Sequence, residues 1–253
     1  MGIIGEWVNQ GEAFLISDDE PAQFNEDSAA LLNQKIDDHK QFFENYERTM
    51  EQLKQWTSKP NSEVAQDQLK NLISRLHKIG PKSVQRGFHL KFLEHKCCIL
   101  AFLQLTENKL RLWTRKCGNE ENVSHVLTQY KAFVSKNKIF QEFHKAFLEF
   151  KDVSQDYKNN ANLSVNQRME IDKFIVDVQQ KWSLISTELQ HVQAHLNEVL
   201  NNWQQWNSSY SAMETYLNEA FERFEGDEAH IQLFLQDLDQ WKLHYSMLQT
   251  TSR

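Results

Sequence analysis

A chain of 253 residues with only 7 Gly and 3 Pro has too few turn-formers for a sheet-rich fold, while 40% hydrophobic and 25% charged residues exclude wholesale disorder. The net charge of −7 and the lack of any recognised module argue against nucleic-acid binding. The longest apolar run, Cys97 to Leu103, falls far short of the ~20 residues that cross a bilayer.

In chain order, Trp7 opens the stretch WVNQGEAFL, the end of a helix, before an acidic loop at 17–25. Leu32, Ile36, His39, Phe43, Tyr46, Met50 and Leu53 recur at helical spacing between Pro21 and Pro60. After a break at 57–62, Ala65, Leu69, Leu72, Leu76 and Ile79 start the next helix. Gly80–Pro81 falls inside it and predicts a kink or a break, because proline lacks a backbone donor and clashes with the preceding turn. Such a rule-breaking position is also a candidate for shaping a partner-binding surface. Further breaks fall at 118–122, 159–164 and 226–227. Phe140, Phe143, Phe147, Phe150 and Tyr157 mark an aromatic helix; Ile231, Phe234, Leu238, Trp241, Tyr245 and Leu248 mark the last one.

The clearest signal is an apolar stripe. Steps of 4 and 3 from Ile171 land on Ile175, Val178, Trp182, Ile185, Leu189, Val192, Leu196, Val199, Trp203, Trp206, Tyr210, Met213, Leu217, Ala220 and Phe224. The mean step of 3.5 predicts one seam on one helix, which at ~1.5 Å per residue is too long for a compact domain.

The units repeat. Trp7, Trp113 and Tyr216 precede acidic loops at spacings of 106 and 103, and His39, Asn137 and Trp241 keep step at 98 and 104. Each unit reads helix, acidic loop, helix, polar loop, helix, and the third helix of one runs into the first of the next.

Candidate chemistry is sparse. Glu188, His191 and His195 have metal-ligand spacing, but one helix supplies only these three donors, so a solvated face is expected. His39 reads as a core histidine hydrogen-bonded to a neighbouring helix, Cys97 and Cys98 as buried, Trp203 and Trp206 as core, and Asp18, Asp19 and Glu20 as a solvated acidic turn. No nucleophile motif or Gly-rich phosphate loop occurs, so neither an enzyme nor a cofactor is expected. Three cysteines without a CxxC pair suit a reducing, cytoplasmic setting.

Charge is unevenly spread: residues 1–60 carry net −7, 61–120 net +6, 121–180 zero and 181–253 net −6. Lys82, Arg86, Lys91, Lys96, Lys109, Arg111, Arg115 and Lys116 face only Glu94 and Glu107 along the chain. They form a candidate docking surface for an acidic protein, actin or anionic lipid. The competing reading is internal neutralisation by Glu44, Glu47 and Glu51.

This arrangement resembles the spectrin repeat. Trp7, Trp113 and Tyr216 match that family's aromatic near the end of the first helix; Trp182 matches its Trp in the third, with Ile79 in its place one unit earlier. The divergent aromatics and the stretch LLNQKIDDHKQFF are most similar to the giant nesprins. The resemblance implies an all-α rod of tandem three-helix repeats sharing continuous linker helices, with repeats at 1–85 (first helix truncated) and 86–192, and the first two helices of a third at 193–253. It implies a structural and docking role, tethering the nuclear envelope to the actin cytoskeleton and recruiting a cytoskeletal or actin-organising protein, with any membrane attachment made by the rest of a parent protein. The alternative is a coiled-coil adaptor that homo-oligomerises through an open C-terminal helical hairpin.

Overall fold

The computed structural model describes residues 2–16, 19–57, 63–115 and 118–224 and the separate positions 242, 243, 245 and 246. Among them the elements are α1 (Gly2–Phe14), α2 (Glu26–Thr57), α3 (Glu63–Trp113), α4 (Glu120–Lys131), a π turn (Ala132–Lys136), α5 (Ile139–Asn160) and α6 (Val165–Phe224), with no strand. The chain is all-α, as its composition and periodicity require. The expected break at 226–227 and the last helix around 231–248 lie outside the described residues, apart from the four separate positions.

Several helix starts are written locally. Asn25 Oδ1 accepts from the Ser28 backbone N–H at 2.9 Å, and Asn119 Oδ1 accepts from that of Asn122 at 2.9 Å. Each side chain satisfies a donor that the first helical turn leaves open. Before α6, Ser164 and Gln167 cap each other: the Ser164 N–H donates to Gln167 Oε1 at 2.9 Å, and the Gln167 N–H to Ser164 Oγ at 3.2 Å.

Of the kink or break expected at Gly80–Pro81, the break does not occur; α3 is continuous from Glu63 to Trp113. A proline within a helix costs about 3 kcal/mol. Leu76, Ile79, Leu90 and Leu93, on the two sides of it, are all almost fully buried. At roughly 2 kcal/mol each, keeping both sides in one helix outweighs that cost. Gly80 has a different role from the one its sequence context suggests. A Cβ there would stand 2.6 Å from Tyr46 Oη, so the glycine admits the tyrosine of α2, which donates to the Leu76 carbonyl at 3.3 Å.

The contacts divide the chain into two compact units, Met1–Glu107 with Phe140–Leu184, and Asn108–Ile139 with Ile185–Arg253. In the first, Val8, Leu53, Leu69, Leu72, Leu76 and Ile79 form a core from α1, α2 and α3, and Trp7 stacks on Phe42 at 5.2 Å. Arg75 of α3 holds both carboxylate oxygens of Glu12 of α1, at 3.0 and 2.7 Å. Further along the same unit an aromatic core joins α3, α5 and α6. Trp182 stacks on Phe143 at 4.0 Å and meets Phe102 and Phe140 edge-on. In the second unit, Trp113 packs edge-on against Tyr130 and Phe133, and the Tyr130 hydroxyl donates to the Leu189 carbonyl at 2.7 Å.

Two features depart from the sequence reading. The helical stretch between the breaks at 118–122 and 159–164 is interrupted: the π turn follows α4, and Lys138 then adopts a left-handed φ of 50°. The apolar stripe of α6 does lie on a single helix, but it is not buried throughout. Ile171, Val178, Ile185, Leu189, Val192 and Leu196 are buried, whereas Tyr210 and Leu217 are exposed and Ser209 is buried instead. A straight helix drifts by ~20° per heptad against a 3.5-residue seam, so the stripe rotates away from a fixed partner over this length.

Candidate protein-docking surface

The basic segment divides by burial. Lys82, Lys91, Arg111 and Arg115 are exposed, Lys96 and Lys109 are partly buried, and Lys116 lies outside the described residues. Lys82, Lys91 and Lys96 belong to the first compact unit, and Lys109, Arg111 and Arg115 to the second.

Arg86 is not a surface residue, which corrects its place among the docking cations. It is 7% exposed and grips Asp19, itself 6% exposed, through Nε at 2.7 Å and Nη2 at 2.8 Å. Its guanidinium also lies 3.9 Å from the centre of the Phe14 ring. Lys35 adds a second cation at 3.4 Å from Asp19. Burial pushes the Asp19 carboxyl up, but the Arg86 hydrogen bonds and charge, helped by Lys35, hold it below the usual carboxylate range. The acidic turn is therefore not simply solvated: a buried guanidinium must be paired, and the loop after α1 supplies the carboxylate. Neutralisation inside the molecule does occur, through different acids from those expected. Arg86 and Lys96 pair with Asp19 and Glu20, the latter at 3.4 Å, rather than with Glu44, Glu47 and Glu51. Lys96 also sits 4.5 Å from the Phe24 ring centre.

Two histidines flank this pair. His39 of α2 is 8% exposed and lies beside Gly87, where a Cβ would come within 3.0 Å of its Nε2. Burial and the Arg86 charge lower its pKa, against a smaller pull from Asp19 and the Ser83 backbone, so the ring is neutral at pH 7. Its Nδ1 and Ser83 Oγ are buried with no hydrogen-bond partner among the described residues. The core-histidine reading holds for burial; the structure adds an unsatisfied nitrogen. His89 Nδ1 meets the Tyr157 hydroxyl at 2.8 Å, and burial is the main cause of its lowered pKa.

The other candidates fall into place. Glu188, His191 and His195 lie exposed on α6. Cys97 is buried and donates from Sγ to the Asn25 carbonyl at 3.1 Å, whereas Cys98 is exposed, against the expectation that both are buried. Trp203 and Trp206 are partly buried and meet edge-on at 5.8 Å, and Tyr210 stacks on Trp206 at 5.4 Å. No helix among the described residues is long and apolar enough to cross a membrane.

Sequence spacing had no means of finding the Asp19–Arg86 pair, because its members are 67 residues apart and only packing joins them. An all-α chain built on two helices of 51 and 60 residues fits a protein of spectrin-repeat type. Residues 102–253 match the family model described as nesprin-1 spectrin repeats, and the chain belongs to that family. It is also similar to the muscle-specific protein 300 kDa of Drosophila melanogaster, at 40% identity over 255 residues that cover 99% of the chain. The chain spans about 2% of that relative's length. No solved structure matches.

Proposed function

We propose that this chain is a non-catalytic structural and docking segment of a spectrin-repeat rod. In this reading the parent protein tethers the outer nuclear membrane to the actin cytoskeleton, and this segment works on the cytoplasmic side. The observation that carries it is the continuity of α3 and α6 over 51 and 60 residues, which in this reading run from one repeat into the next. Bending such a helix means breaking backbone hydrogen bonds, so force applied at one repeat passes to its neighbour. Membership of the nesprin-1 spectrin-repeat family supports the role. The partner in this reading is a cytoskeletal or actin-organising protein, met by the cations of each unit taken by itself: exposed Lys82 and Lys91 with Lys96 on the first, and exposed Arg111 and Arg115 with Lys109 on the second, while Lys116 continues the run in the sequence. Neither nucleic acid nor a cofactor enters it.

Light scattering with small-angle X-ray scattering tests the rod. An extended monomer is expected, and a dimer that persists on dilution overturns the reading. Co-sedimentation with purified filamentous actin tests the surface. Reversing Arg111 and Arg115 to Glu is expected to weaken binding, and unchanged binding removes that surface from the proposal. The exposed Leu217 and Phe221 on α6 favour a second reading, a homo-oligomer formed through the C-terminal hairpin; the same scattering experiment decides between them.

A further inference from the structure

On the first compact unit, α2 and α3 leave an apolar groove of about 400 Å³ between them. Its walls are Ile36 and Phe43 from α2 and Val84 and Phe88 from α3. His39, 8% exposed and with Nδ1 unpartnered among the described residues, also lines it. Val84 is 43% exposed, unusual for a branched apolar side chain at the middle of a packed helix. Gly87 keeps the groove open, since a side chain there would run into His39.

The rim is charged. Lys40 stands on the α2 bank and Lys91 on the α3 bank, both exposed, against one carboxylate, Glu44. Lys40 also touches Asp37 at 3.0 Å, an exposed pair of the kind that contributes little. Both banks are helices whose backbone groups are bonded internally, so an added strand would find no partners there. The α3 positions that line the groove, Val84 to Lys91, span two helical turns, ~10 Å, which is the reach of anchors at i, i+3, i+4 and i+7 of a docked helix.

We infer that this groove docks an amphipathic helix of a protein partner, with its apolar face against Phe43, Val84 and Phe88 and its flanks acidic toward Lys40 and Lys91. The inference rests on the reading of the chain as a docking segment, but it places a contact apart from Arg111 and Arg115 and gives the partner's chemistry.

The test uses the full chain and two labelled peptides of about 18 residues, long enough to hold a helix, which share one leucine stripe and carry either Glu or Lys on its flanks. Fluorescence anisotropy is expected to show the Glu-flanked peptide binding at least about tenfold more tightly than the Lys-flanked one, a difference that shrinks with added salt. Val84→Asp is expected to abolish binding of both. Lys40→Glu with Lys91→Glu, on exposed positions that leave the fold intact by circular dichroism, is expected to invert the preference. Equal binding of the two peptides, no binding of either, or unchanged binding by the Val84 and lysine variants overturns the inference. Oleate displacing the peptide and binding more tightly than it also overturns it, in favour of a small-amphiphile site. Arg111→Glu with Arg115→Glu is expected to leave peptide binding unchanged, and Val84→Asp to leave actin co-sedimentation unchanged, so failure of the groove and failure of the basic surface read out separately.

Discussion

The two long helices solve the same problem by different means. Near Gly80–Arg86, α3 carries a proline and is held by polar groups: the Tyr46 hydroxyl on the Leu76 carbonyl and the buried Arg86–Asp19 pair under Phe14. Near Trp182, α6 contains no Gly or Pro and is held by aromatic packing, with Trp182 stacked on Phe143 and flanked by Phe102 and Phe140. The comparison teaches that a continuous helix in this family does not require a clean helical sequence. It requires that packing on both sides of the weak point exceed its local cost. The polar solution differs in one respect: it makes that stretch sensitive to pH and to the loss of a single charge.

The largest effect should come from breaking the polar arrangement. Arg86→Ala leaves the buried Asp19 with only the partly exposed Lys35 at 3.4 Å for a partner, and about 3 kcal/mol should be lost in chemical denaturation. Arg86→Met with Asp19→Leu should recover most of that loss; if the double variant is as unstable as the single one, the pair is more than a buried charge with its neutraliser. Trp182→Ala removes the aromatic counterpart and should cost about 3 kcal/mol, measured in the same way. A loss well below 1 kcal/mol there would remove the contrast between the helices.

Smaller effects sharpen it. Because α3 stays helical and Pro81 is exposed, Pro81→Ala should stabilise the chain by about 2 kcal/mol; a loss would mean that the surrounding packing is built around the proline. Gly80→Ala should do the opposite, costing about 1 kcal/mol through its collision with Tyr46, and Tyr46→Phe should relieve part of that cost. The smallest effect is on pH dependence. His39 and His89 have lowered pKa values in the fold, so below the unfolded value of about 6.5 the unfolded chain binds protons that the folded one does not. Their contribution is full above that pH and is lost as pH falls through it. Asp19 acts lower down: its pKa is depressed, so its contribution is present above about pH 3.9 and lost below. Thermal melts from pH 7.5 to 5 should fall, and His39→Phe should flatten the slope.

Much of the fold was legible. The helix starts after 17–25, 118–122 and 159–164 are set by local signals, the Asn25, Asn119 and Ser164 caps, that act within a few residues. The candidate site was less so. Arg86 is buried rather than a docking cation, because nothing near it in the chain reveals that Asp19 folds over it. Gly80 was read as a breaker, since its true reason, the approach of Tyr46, comes from another helix.

The sequence by itself determined the all-α class and the apolar stripes of its helices, because periodicity and capping are properties of a few consecutive residues. Only the tertiary structure decided that α3 runs through Pro81, that Arg86 is buried on Asp19 while Lys91 stays at the surface, and that an apolar groove opens beside His39. These depend on which side chains of distant segments meet, and their energies arise from burial, which no local pattern encodes.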